Sequence, residues 1–378
     1  MITPDISSQN RIQVIDALRG FALLGVLIAN IPFPEGGEFH SELDEILLFL
    51  YHLLIDTKFI TIFSILFGLG FYLQWQRARE KKHDFVRYFV IRMALLFLIG
   101  SIHGLLIWNG DILRAYALGG LVLLLVRNWS QKMKFICAII CIVVLTGFAF
   151  ISHDLLGWTY DYEISLNMEQ YQTSSFSRYL YANYITDPWS NFRMDMPITL
   201  FFTFGCMLIG FLLGEIGFFT QPEKWRSLSR NLILFGCTLG LASSYLFERV
   251  MTGSLALDES MIWLPFVISG GMFIQSMVYI AIFVNLFRFR RTKRFLKVFV
   301  PVGRTSLSNY LFQSVFYLLV FLPCLPPLRL FETISTSTTW LIALLFFGFQ
   351  SLLSWIWLKK FKQGPVEYLW KTISQRFM

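Results

Sequence analysis

The sequence predicts an all-α fold: a polytopic membrane bundle of about ten helices with both termini in the cytoplasm. Three observations lead there. Hydrophobic residues make up 56% of the chain and the mean hydropathy is +0.59. Charged residues are only 15%, against roughly 25% in soluble domains, and the chain carries 40 phenylalanines, too many for a soluble core of this length. The lysines and arginines fall in short runs between apolar segments. A net charge of +8 raises nucleic acid as a partner. The placement of the charges excludes it, because such runs set membrane topology and attract anionic headgroups. The chain, 1–378, is therefore expected as a single integral membrane domain with lipid as its first partner. The polar start, MITPDISSQNR, shows no cleavable signal, and residues 1–10 are expected to be disordered.

The spans are expected near 14–33, 57–75, 88–108, 112–127, 133–152, 197–217, 231–248, 261–287, 303–322 and 338–358, each long enough or nearly so to cross hydrocarbon. The N-terminus, 76–92, 127–134, 218–230, 288–297 and the tail from 359 hold 24 of the 32 basic residues. The opposite loops and helix ends hold Lys58, Arg114, Arg178, Arg193, Arg249 and Arg329. That asymmetry places both termini inside, which requires an even number of spans. The segment LDEILLFLYHLLI, 43–55, is apolar but short, and is expected as an interfacial or re-entrant helix on the outer side. Residues 153–196 form the longest outer loop, either a cap over an outward cavity or a disordered connection. The tail 359–378 is basic and amphipathic, expected to lie as a helix on the inner leaflet. No internal repeat is visible, which weakens a classical transporter reading. The five cysteines have no zinc-like spacing, and no metal site is expected.

Chemistry must come from polar residues at membrane depth, where an unpaired ionisable group is costly. Residues 95–120, LLFLIGSIHGLLIWNGDILRAYALGG, hold His103, Asn109, Asp111 and Arg114 between two apolar segments. His103 can act as base or acid, and Asp111 can orient it. A structural lock between spans three and four is the alternative. On span one, Asp16 and Arg19 share a helix face, as an ion pair or with Arg19 on a phosphate. Asn30 ends that span, either as a helix end before Pro32 or as an amide directed at a carbonyl. His40 lies in the following outer loop. On span nine, Thr305, Asn309 and Gln313 recur every four residues, with Ser306 and Tyr310 beside them. That stripe either lines a cavity or bonds to neighbouring helices. Arg304, at its inner end, is a second candidate phosphate ligand.

Four stretches, IDALRGFALLGVLIANI, IHGLLIWNGDILRAYALGGL, VGRTSLSNYLFQS and QGPVEYLW, occur in order along nearly the whole chain. They resemble the YeiB family of bacterial inner-membrane proteins (domain of unknown function 418). The resemblance implies a place in the bacterial cytoplasmic membrane and a relation to the transmembrane acyltransferases. In heparan-glucosaminide N-acetyltransferase the first helix likewise carries an Asp, an Arg-Gly three residues on and an outer Asn, with the active histidine soon after. Asp16, Arg19, Gly20, Asn30 and His40 match those positions here.

Two functions are expected from this. The first is an acyltransferase. It takes an acyl group from cytoplasmic acyl-coenzyme A, held by Arg19 and Arg304, to a hydroxyl or amine acceptor outside. The histidine is His103 or His40, and Asn30 or the stripe of span nine stabilises the developing oxyanion. The second is a transporter or lipid/solute-binding protein in which His103 and Asp111 relay protons. A homodimer is left open.

Overall fold

The computed structural model describes residues 6–31, 41–81, 84–148, 175–187, 189, 195–255, 259–321 and 334–376. Among these every regular element is helical. A helix lies at each of the ten expected segments, and seven are long and apolar enough to cross a membrane.

Helix α1 (Ile6–Asn30) runs through the centre, with Ala17, Leu18, Ala22 and Leu23 fully enclosed. Residues 6–10, expected to be disordered, form its first turns. A short α2 (Glu42–Leu54) follows, opened by a capping box: Asp44 N donates to Ser41 Oγ and Ser41 N donates to the Asp44 carboxylate. Its short length agrees with the separate helix expected at 43–55. The turn into α3 (Lys58–Lys81) is sharp, with Thr57 at φ 63°. Buried Lys58 closes it by donating to the His52 carbonyl at 2.7 Å.

Next come α4 (Phe85–Leu106), capped by Asp84, and α5 (Leu113–Val126). α6 (Gln131–Ile139) continues through a π-helical turn at Ile140–Leu145. Within 153–196 the structure describes α7 (Phe176–Thr186), and α8 (Asp195–Glu215) follows. α9 (Arg226–Met251) and α10 (Leu264–Leu286) pair side by side, with Gly271 of α10 seated on Ser243 of α9.

The ninth expected span is divided. Short α11 (Arg290–Leu296) leads to α12 (Val300–Arg304), and Thr305, at φ −116° and ψ 36°, breaks the chain before α13 (Ser306–Val320). α14 (Thr336–Lys360) and α15 (Pro365–Gln375) complete the order.

Small residues set two close crossings. A Cβ on Gly303 would lie 1.7 Å from the Asp16 carbonyl oxygen, and one on Gly20 would lie 2.0 Å from that of Phe299. α1 and the start of the α12 arm therefore touch backbone to backbone. Gly68 of α3 and Gly210 of α8 meet the Met207 and Ile65 carbonyls in the same way. Packing between helices in lipid depends on such approaches, since lipid tails offer no hydrophobic gain on association.

The tail helix α15 docks on the bundle. Glu367 of α15 accepts from Leu307 N at 2.7 Å and Ser308 N at 3.1 Å, capping α13 from another part of the chain. Trp370 Nε1 donates to the Arg92 carbonyl at 2.8 Å. The opposite face of α15 leaves Tyr368 and Leu369 exposed.

Candidate active site

The turn WNGD lies between α4 and α5, so residues eight apart in sequence can meet. His103 Nδ1 and Asp111 Oδ2 are 2.8 Å apart, and both side chains are buried. His103 Nε2 is buried with no hydrogen-bond partner. With the carboxylate on Nδ1, the tautomer that puts the proton there leaves Nε2 with a free lone pair.

Arg114 extends the network. Its backbone N–H donates to Asp111 Oδ1 at 3.1 Å, and its guanidinium grips both carboxylate oxygens of Asp187, one at 3.0 Å. All four groups are buried. Two carboxylates face one guanidinium, so a proton taken up by His103 brings the cluster to neutrality. Glycines make the room: a Cβ on Gly104 would meet Arg114 Nη2 at 2.3 Å, and one on Gly100 would meet Asp111 Oδ1 at 2.7 Å. Asn109 donates to Thr186 Oγ1 at 2.8 Å, and Tyr179 donates to the Ile107 carbonyl. α7 is thus held over the turn. Asp187 was not singled out in the sequence. The signal was a buried arginine in need of a second acid, placed by a loop 73 residues away.

A cavity of about 370 Å³ runs alongside. On α1 its wall is Asp16, Arg19, Leu23, Val26 and Asn30, the spacing of one helix face. Those 14 residues put its two ends ~21 Å apart. Tyr310, beside His103, lines it with Gly110 and Ile112 of the WNGD turn and its flank, and Gln74, Arg92, Arg304, Glu367 and Trp370 line it as well. The middle is apolar, with Phe63, Leu66, Phe67, Met93 and Leu96. The His103–Asp111 pair stands behind the wall. The Tyr310 ring, which lines the cavity, lies 5.2 Å from the imidazole ring, centroid to centroid.

The other sequence-selected residues divide. Arg19, Arg304, Asn30, Ser306 and Tyr310 line the cavity. Arg19 is also paired with Asp16 at 3.3 Å, and Arg304 donates to the Lys362 carbonyl at 2.8 Å. Of the two readings of the span-nine stripe, three members take the interhelical one. Asn309 Nδ2 donates to Thr305 Oγ1 and to Ser354 Oγ, and Thr305 Oγ1 donates to Ser354 Oγ. Gln313 Nε2 donates to Gln350 Oε1, whose own amide donates to the Asn309 carbonyl. Thr305, Asn309 and Gln313 therefore lock α13 to α14. They face that interface because Ser354 and Gln350 supply their partners, while Ser306 and Tyr310 turn to the cavity. Arg114 and Asn109 bind Asp187 and Thr186. His40 lies outside the described residues.

Apolar helices around a buried ionic cluster and a long cavity define a polytopic helical membrane protein. Residues 213–376 match the family described as protein of unknown function (DUF418). That match, with the relatives that follow, supports the assignment of the chain to the DUF418 family that includes the uncharacterized protein YeiB. The uncharacterized protein YxaH of Bacillus subtilis (strain 168) is 29% identical over 99% of this chain and 96% of its own length. YeiB of Escherichia coli (strain K12) is 28% identical, over 96% of each chain. An uncharacterized 39.9 kDa protein in the amylase 3' region of Bacillus acidopullulyticus is 26% identical over 98% of this chain and 95% of its own. No solved structure matches the chain.

Proposed function

We propose that the protein is a transmembrane acyltransferase of the bacterial cytoplasmic membrane. It has ten crossing helices and both termini inside. It moves an acyl group from cytoplasmic acyl-coenzyme A to a hydroxyl or amine acceptor on the outer side. The observation that carries this reading is the carboxylate-oriented His103, with Nε2 unpartnered, behind one end of a cavity whose other end holds arginines. A donor with an anionic head and a long thin arm fits that shape. Its phosphates sit at Arg19 and Arg304, and its thioester reaches the end marked by Asn30 and Tyr310.

In the transfer, the acceptor oxygen or nitrogen attacks the thioester carbonyl carbon. Its proton passes to His103 Nε2, and Asp111 stabilises the imidazolium that forms. The Asn30 amide donates to the developing oxyanion. The tetrahedral intermediate collapses, the carbon–sulfur bond breaks, and the proton moves from His103 to the departing sulfur. Tyr310 must turn aside for His103 to face the cavity.

The transporter reading rests on the same buried cluster, in which His103 and Asp111 would relay a proton without a covalent step. The experiment that separates them is acyl-labelled coenzyme A given to purified protein with a membrane extract as acceptor source. Label should leave coenzyme A, free thiol should appear, and His103→Ala and Asp111→Ala should abolish both while remaining folded. No thiol release from the parent protein sinks the acyltransferase.

A further inference from the structure

The cavity end nearest the tail helix contains a cation that the sequence reading assigned to a loop. Arg92 lies within α4, not before it, and lines the cavity. Its guanidinium donates to the Tyr88 hydroxyl at 2.8 Å and stacks on the Trp370 ring, 3.7 Å from the centroid. Its Nε is buried and without a partner. No carboxylate among the described residues pairs with it.

The two carboxylates in the same wall are already committed. Asp16 pairs with Arg19. Glu367 accepts from Leu307 N, Ser308 N and Ser308 Oγ, the last at 2.5 Å. Three guanidiniums, of Arg19, Arg92 and Arg304, thus share the mouth with two occupied acids. An arginine inside a helical bundle is ordinarily paired, because an uncompensated charge there is expensive. Stacking on tryptophan holds the plane of the guanidinium while leaving its edge N–H groups free to donate.

We propose that Arg92, held by Trp370 and Tyr88, is the centre of a binding site for a phosphate-bearing ligand, with Arg19 and Arg304 at its rim. The geometry suits a phosphate because a guanidinium edge offers two parallel donors to it. The ligand is a soluble phosphate compound entering from the tail-helix side, or a phospholipid headgroup from the adjoining leaflet. The inference goes beyond the acyltransferase reading, since the site stands whether or not an acyl group is transferred.

The test uses the full chain in detergent and follows thermal unfolding and binding isotherms. The probes are free coenzyme A, inorganic pyrophosphate and dihexanoyl phosphatidylglycerol. At least one should raise the melting temperature of the parent protein. Arg92→Gln should weaken that probe by about tenfold or more. It should leave the empty protein close to the parent in stability, because the lost Tyr88 hydrogen bond and Trp370 stack are offset by removal of an uncompensated buried charge. Trp370→Phe, which keeps an aromatic face, should retain most of the binding, and Trp370→Ala should not. A shift with coenzyme A or pyrophosphate assigns a soluble ligand; a shift with the lipid alone assigns a headgroup. The site is refuted if no probe shifts the parent, if Arg92→Gln binds like the parent, or if it only lowers the stability of the empty protein. Should Arg92→Gln fail to fold, Arg92→Lys carries the same comparison. Lysine keeps the charge but loses the planar fork, so parent-like affinity in that variant also overturns the proposal.

Discussion

Asp187 adds a buried ion pair to the hydrogen bonds that hold α7 against the bundle. Both its carboxylate oxygens take N–H groups from Arg114, which in turn supports Asp111 beside His103. Asp187→Ala leaves a buried guanidinium facing Asp111 alone. Removing one partner of such a pair costs about 3–5 kcal/mol, far more than losing a surface bridge. The expected result is a clear drop in the unfolding temperature of the detergent-solubilised protein, with Asp187→Glu less affected. A variant as stable as the parent would mean that Asp187 carries no load. His103 and Asp111 were legible as a candidate pair because they flank one short turn. Asp187 was not, since nothing local distinguishes an acid in a polar loop from any other.

At the scale of elements, the α1–α12 crossing places Arg19 and Arg304 in one cavity wall. Gly303 sits against the Asp16 carbonyl and Gly20 against that of Phe299, both too close for any side chain. Gly303→Val should therefore separate the two helices, with a loss of at least about 1–3 kcal/mol. Gly348, which meets nothing within 4 Å, is the control, and Gly348→Ala should be neutral. Thermal unfolding monitored by loss of monodisperse protein distinguishes them; equal behaviour would remove the crossing from the account of stability. The polar stripe of span nine was visible in its period of four. Its facing was not, because a period fixes which residues share a side and not what that side meets. Ser354 and Gln350, from a helix 45 and 37 positions further on, decide it.

For the whole molecule, the basic residues predict a topology that a labelling experiment reads directly. In a background without native cysteines, single cysteines at Asn128, Ser177 and Ser227 would meet an impermeant thiol reagent on intact cells. All three positions are exposed. Only position 177, in the first turn of α7, should label. Labelling at 227 with none at 177 reverses the orientation. It would also put the arginine end of the cavity outside and remove a cytoplasmic donor from it. The tail helix bears on the same question. Glu367 and Trp370 tie it to α13 and α4, so its side of the membrane is the side of that cavity mouth.

By itself the sequence determined the helical class, the positions of the helices and the membrane as solvent. These depend on composition and on apolar runs whose length must match hydrocarbon thickness, properties of contiguous residues. It also determined that His103 and Asp111 would lie close together, because one turn joins them. Tertiary structure alone decided that Asp187 completes their network, that Thr305, Asn309 and Gln313 bond to α14, and that Arg92 shares a cavity with Arg19 and Arg304. Each of these depends on which faces of distant helices meet. That is set by backbone approach at glycines and by the need of every buried polar group for a partner, neither of which is written in any one segment.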